Sequence, residues 1–123
     1  MYSILIIEDE IHFQGILKNV LTDEGFIVDA VFDGEDGILA AKDKNYDLIV
    51  TDMHLADMNG TDVIQEILDN NPAQKIVGIS GGNFLSGQDM GLLESLQKQG
   101  VITVFKKPFN HAEFVKSIQQ HLQ

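Results

Sequence analysis

The run Leu48-Ile49-Val50-Thr51 is apolar or β-branched at every position, not at every second one, and it stops abruptly at Asp52. With Tyr46 and Asp47 in front of it, the run reads as a short strand. A strand apolar on both faces has to be covered on both, the condition of a central parallel strand flanked by helices. Asp52 then stands at the strand's carboxyl end, the edge where open α/β sheets build their sites. Taken alone, an aspartate there could equally start a turn or cap the next helix.

The pattern repeats along the chain. Ile4-Leu5-Ile6-Ile7 is a second fully apolar run and ends in Glu8-Asp9-Glu10. Ile11, Phe13, Ile16, Leu17, Val20 and Leu21 follow at near-helical spacing, with Asp9 or Glu10 at the start and Gly25 at the C′ place. Residues 26–31 form a second strand, Asp33-Gly34 a turn, and Ile38, Leu39 and Ala41 a short helix ending near Asn45. After Asp52 a loop runs over 53–60. Val63, Ile64, Ile67 and Leu68 then make a helical face that Asn70-Asn71-Pro72 stops.

Residues 75–79 are a fourth strand, leading into Ser80-Gly81-Gly82-Asn83; Met90, Leu93 and Leu96 predict a helix that closes at Gly100. Residues 101–105 are the fifth strand, followed by Lys106-Lys107-Pro108-Phe109. In the last helix Asn110 and Glu113 stand as N-cap and N3, with Phe109 and Phe114 at the positions of a hydrophobic staple. Five strands alternating with five helices predict a doubly wound α/β fold, with a mostly parallel sheet covered on both faces. The whole of 1–123 reads as one domain, with no output domain in this chain.

Charge narrows the function. Nineteen acidic residues against 8 basic give a net −11. That balance argues against nucleic acid, whose phosphates need Lys and Arg, and against an anionic membrane surface. It suits metal ions or a basic patch on a partner, although most of these charges serve solubility. With no cysteine there is neither a disulfide framework nor a thiolate metal site. No apolar run is long enough to span a membrane, and the N-terminus has no basic region of the secretory type. The expected setting is cytoplasmic.

At the carboxyl edge the first strand offers Glu8 and Asp9, the third Asp52, the fourth Ser80 and the fifth Lys107. Crowded carboxylates raise one another's pKa or need a cation, and an oxygen-only cluster with few protein ligands suits Mg²⁺. Asp52 can then act as a nucleophile toward a phosphoryl group, with Lys107, the Ser80 hydroxyl and backbone N–H groups neutralising its oxygens. Each residue has a plainer alternative. Asp9 could be only an N-cap, Ser80 an ST-turn, and Lys107 a solvated partner of Lys106. Their arrival together at successive strand ends favours the joint reading.

These motifs, Ile-Ile-Glu-Asp-Glu at 6–10, Leu-Ile-Val-Thr-Asp at 48–52, Met58-Asn59-Gly60, Ile79-Ser80-Gly81 and Lys107-Pro108-Phe109, closely resemble the receiver domain of two-component response regulators. The resemblance runs from Ile4 to about Leu122 and implies the flavodoxin-like strand order 2-1-3-4-5. It implies Asp52 as phosphoacceptor from a sensor histidine kinase or histidine phosphotransfer protein. Asp9, Asp52 and the His54 carbonyl would be Mg²⁺ ligands, with Glu8 acting on the metal through water. Ser80 would be the switch hydroxyl, and Lys107 would precede a cis proline. Phosphorylation would shift the surface around the fourth helix and fifth strand toward a downstream protein target.

Two residues depart from the family. Ala56 replaces the usual proline after the acceptor, and Val104 stands where a switch Tyr or Phe is common. Phe105, one residue later, would face the other way. A flavodoxin-like FMN carrier is disfavoured because Glu8-Asp9-Glu10 would repel a phosphate. A haloacid-dehalogenase-type phosphatase is disfavoured because His54 stands where a second Asp belongs. The expectation is therefore a switch without independent substrate turnover. The alternative is a degenerate receiver that binds proteins irrespective of phosphorylation.

Overall fold

The computed structural model describes residues 1–81, 94–95, 97–98 and 100–123. Five parallel strands, β1 (Ser3–Ile7), β2 (Ile27–Val31), β3 (Leu48–Asp52), β4 (Ile76–Ser80) and β5 (Val101–Lys106), lie in the order β2-β1-β3-β4-β5. Among the described residues four helices cover the sheet: α1 (Ile11–Asp23), α2 (Gly34–Asp43), α3 (Gly60–Asn70) and α4 (His111–Leu122). The sequence predicts five. Met90, Leu93 and Leu96, on which the remaining helix rests, lie outside the described residues.

Because β1 and β3 are apolar at every position, their alternating side chains feed two cores. Leu5, Ile7 and Ile49 face α2 and α3, packing on Val63, Ile64 and Ile67. Ile4, Ile6, Leu48 and Val50 face α1 and α4, packing on Leu17, Leu21 and Phe114. The two-sided burial read from the Asp52 strand is thus realised with period two.

Several strand ends differ from the sequence expectation: β2 begins one residue later, at Ile27, β4 runs one residue further along, over Ile76–Ser80, and β5 extends to Lys106. The sequence places the third strand over 46–51, but it runs from Leu48 to Asp52. Tyr46 drops out because its carbonyl accepts from Gln74 Nε2 in the loop before β4, while its hydroxyl donates to Asp29 Oδ2 of β2 at 2.7 Å. Asp52 stays in because the ladder continues past it, the Met53 N–H donating to the Ile79 carbonyl at 2.8 Å. At α1 the choice between Asp9 and Glu10 resolves to Glu10, whose carboxylate accepts from the N–H groups of His12 and Phe13. Gly25 takes the left-handed conformation after the helix, φ +92°.

Strand β5 carries an irregularity that no periodicity could predict. Val101 pairs with Ile76 but Thr103 pairs with Val77, so one extra residue is inserted at Ile102. A one-residue slip exchanges the faces of everything after it. Val104 therefore packs with Val101 in the α2/α3 core, where Gly78 leaves room for its methyl and for the Met53 sulfur. Phe105 turns to the other core and meets Phe109 and Phe114, with ring centroids 5.5 and 5.2 Å away. The opposite aim expected of Phe105 is what the structure shows.

The last helix is capped as its sequence implies. Asn110 Oδ1 accepts from the Glu113 N–H at 3.0 Å, and Phe109 lies 5.0 Å from Phe114. Helix α2 is capped twice. Asp33 accepts from the Asp36 N–H, and Asp57, 23 residues beyond Gly34, reaches back to the N–H groups of Gly34 and Glu35. Those bonds, the one from Gly34 foremost, hold the Asp57 carboxyl below its ordinary value.

Candidate acidic phosphoryl-acceptor site

Strand pairing sets the site. Ile7 lies opposite Thr51, so the next residues, Glu8 and Asp52, leave adjacent strands side by side. Glu8 is fully buried and Asp52 nearly so, while Asp9 is half-buried. The three carboxylates bring one oxygen each to within 4.8 Å of the others. Lys107, arriving from the end of β5, places Nζ 2.7 Å from Glu8 Oε1 and 3.1 Å from Asp52 Oδ2. The remaining oxygens are held by backbone. Glu8 Oε2 accepts from the Glu10 N–H at 2.9 Å, Asp52 Oδ1 from the His54 N–H at 2.8 Å, and Asp9 Oδ2 from the Ala56 N–H at 2.9 Å.

Burial pushes the Glu8 carboxyl up to about 7, with Asp52 adding to the rise, against the pull of the Lys107 ammonium. Burial would lower Lys107, but its bonds to Glu8 and Asp52 outweigh that and hold it above the ordinary lysine range. The cluster thus gathers three carboxyl groups, two of them bonded to the Lys107 ammonium. All the donors are hard oxygens, so the cluster fits Mg²⁺ better than a metal that wants nitrogen or sulfur.

The structure brings Glu8, Asp9, Asp52 and Lys107 into direct proximity, as their places at the strand ends predict. Ser80 ends β4 beside them, one residue past Ile79, the partner of Asp52 in register. It is buried, its hydroxyl donates to the Gly81 carbonyl at 3.2 Å, and its own carbonyl accepts from the Lys107 N–H at 2.6 Å. His54 contributes its amide to Asp52 and, itself exposed, pairs with Asn59 across the loop. The Lys107–Pro108 peptide bond is cis, as the resemblance implies.

Three further groups make contacts that sequence reasoning does not assign to them. Phe13 reads only as part of the apolar face of α1, yet Lys107 Nζ lies over its ring, 4.3 Å from the centroid. Glu10 both caps α1 and donates its N–H to Glu8. Ala56 supplies an N–H to Asp9 that a proline could not. The spacing of Glu10 and Phe13, cap and N3, is a usable signal for the first two. Among the described residues no helix is long and apolar enough to cross a membrane.

Comparison with known proteins gives the family and the fold. The family model described as "Response regulator receiver domain" matches residues 4–119. The transcriptional regulatory protein CusR of Escherichia coli is 30% identical over 121 residues, a match that takes in 98% of this chain and 51% of that protein. The chain thus spans about half the length of this curated relative. Two solved structures show the fold. A CheY-like receiver domain protein from Methanospirillum hungatei has TM-score 0.89 and 22% identity, covering 99% of this chain and 94% of the other. The receiver domain of NtrX from Brucella abortus has TM-score 0.85 and 24% identity, covering 97% of each. With its strand order and the matched family model over nearly its full length, the chain belongs to the response regulator receiver domains.

Proposed function

We propose that this domain is a phosphorylation switch in which Asp52 accepts a phosphoryl group from the phosphohistidine of a histidine kinase or phosphotransfer protein. The observation that carries the reading is the Lys107 ammonium bridging Glu8 and Asp52, with Asp9 in the same oxygen cluster. An Asp52 oxygen attacks phosphorus, the P–N bond to the donor imidazole breaks, and an acyl phosphate forms on Asp52. The His54 N–H on Oδ1 fixes the rotation of the carboxylate and leaves Oδ2 to react. Lys107, already 3.1 Å from Oδ2, follows the transferred oxygens, and the Ser80 hydroxyl gives up the Gly81 carbonyl to meet one of them. Glu8 keeps Lys107 at the strand ends throughout.

Mg²⁺, held by Asp9, Asp52 and the His54 carbonyl with Glu8 behind water, would neutralise charge on the phosphoryl oxygens. The reading includes a cytoplasmic setting, a downstream protein target and no independent substrate turnover. A second reading, a degenerate receiver that binds partners without phosphorylation, draws on one observation. Val104 lies in the α2/α3 core while Phe105 faces α1 and α4, so the aromatic switch common in the family has no counterpart at those two positions. Intact mass after incubation with a small phosphodonor, with and without Mg²⁺, tests both. One Mg²⁺-dependent phosphoryl addition, absent in Asp52→Asn, is expected. No addition under any condition would leave only the second reading.

A further inference from the structure

We propose that Phe13 is a positioning residue of this site. Its ring face holds the Lys107 ammonium at the strand ends while the ammonium exchanges Asp52 for phosphoryl oxygens. The inference rests on the phosphoacceptor reading above. Lysine has three N–H donors, and two are taken by Glu8 Oε1 at 2.7 Å and Asp52 Oδ2 at 3.1 Å. Phe13 lies under the same nitrogen, 4.3 Å from ring centroid to Nζ. A ring face carries the negative part of the aromatic quadrupole and attracts a cation without forming a bond that must later be broken.

That property matters when Asp52 becomes an acyl phosphate. Lys107 then loses a carboxylate oxygen as partner and has to move outward with the transferred oxygens. Cation–ring attraction extends to about 6 Å, which leaves a little under about 2 Å of travel before it lapses. Glu8 and Phe13 together therefore retain the ammonium in both arrangements, whereas water would compete for it on the open side.

The ring is braced for this task. The Phe13 N–H donates to Glu10 Oε2 at 2.6 Å, so the cap of α1 fixes the turn that carries it. The ring makes a T-shaped contact with Phe109, centroids 5.7 Å apart and planes at 84°, and Phe109 in turn packs on Phe105 and Phe114. Phe109 is two residues past Lys107 in the chain, so ammonium and brace come from the same connection. A purely space-filling Phe13 would need the contacts with Phe109 but not the cation over its face.

Fluorination separates the two roles. Mono-, di- and trifluorophenylalanine at position 13 progressively weaken the ring face while barely changing its size. The measurement is the rate of mass gain on the full chain with a small phosphodonor at saturating Mg²⁺. The expected result is a stepwise fall reaching about three- to tenfold at trifluorophenylalanine, with melting temperatures level across the series. Phe13→Leu should label as slowly as the trifluoro protein, and Phe13→Tyr should stay near the parent rate. A flat rate across the fluorinated series, with the parent protein labelled normally, would overturn the proposal. If the parent takes no label at all, the phosphoacceptor reading has failed and the proposal falls with it.

Discussion

Gly60→Ala should damage this domain through its backbone. Gly60 opens α3, is buried, and donates its N–H to the Met53 carbonyl at 2.9 Å. A methyl group placed there would collide with Met53 Cα and lie 2.8 Å from the Asp52 carbonyl oxygen and 2.9 Å from the Met53 carbonyl carbon. None of these atoms ends a flexible side chain, so either α3 or the chain at Asp52 must shift. Overpacking of this kind costs about 1–3 kcal/mol, and a backbone obstacle belongs at the upper end. The stiffer unfolded chain returns about 0.4–1 kcal/mol. The net expectation is a loss of about 2 kcal/mol, read as a urea midpoint lower by about 1 M. Labelling of Asp52 should slow as well, because the displaced atoms flank it.

Gly15→Ala is the matched control. Gly15 lies inside α1, and a methyl group on it would meet nothing within 4 Å, so alanine there should add about 0.5–1 kcal/mol. If Gly60→Ala proves as stable as the parent, or if the two substitutions act alike, the close approach of Gly60 to Met53 does not constrain the backbone.

Three other expectations follow from particular contacts. Phe114→Ala removes a fully buried ring from the α1/α4 core and should cost about 3–5 kcal/mol in chemical denaturation, with a loss under about 1 kcal/mol counting against that packing. Asp29 is held below its ordinary 3.8 by the Tyr46 hydroxyl first and Lys44 second. Its contribution is therefore present above that pH and fades as pH falls through the lower folded value. Asp29→Asn should be less stable by about 0.5 kcal/mol at neutral pH, given the exposure of the pair, and the gap should close as pH falls below the ordinary Asp value. An undiminished gap in acid would exclude this origin. Ala56→Pro deletes the N–H that holds Asp9 Oδ2 and should weaken Mg²⁺ binding by about tenfold in a calorimetric titration; unchanged affinity would show that the bond does not orient Asp9.

Much of this architecture is legible in the chain because its apolar runs break off at charged or polar residues. Those breaks locate Glu8, Asp9, Asp52, Ser80 and Lys107, and the parallel topology carries all of them to one edge. Register is not legible in β5. Where both faces of a strand are apolar, an inserted residue such as Ile102 leaves no mark in the hydropathy pattern, although it decides which core receives Val104 and which Phe105. Glu10 as the cap of α1 is ambiguous because glutamate is not among the favoured capping types. Asp57 as a cap of α2 is invisible for a different reason. It acts 23 residues away from Gly34, and only the packed loop brings it there. Phe13 looks like any other position on an apolar helical face until Lys107 is placed above it.

The bond between Lys107 and Glu8 joins residues 99 apart in sequence. During synthesis the two interior carboxylates leave the ribosome long before the ammonium that touches them both. Until β5 docks, the Glu8 and Asp52 carboxyls lie side by side without that cation between them, and closing the first four strands into a tight sheet end would bury both with no ammonium to offset the cost. Arrival of the last strand supplies that ammonium and completes the constellation in one event. A nascent or truncated chain lacking β5 would thus carry the carboxyl cluster without the Lys107 ammonium that bonds two of its members. In such a domain, the charge balance of the site is acquired together with the final closure of the sheet.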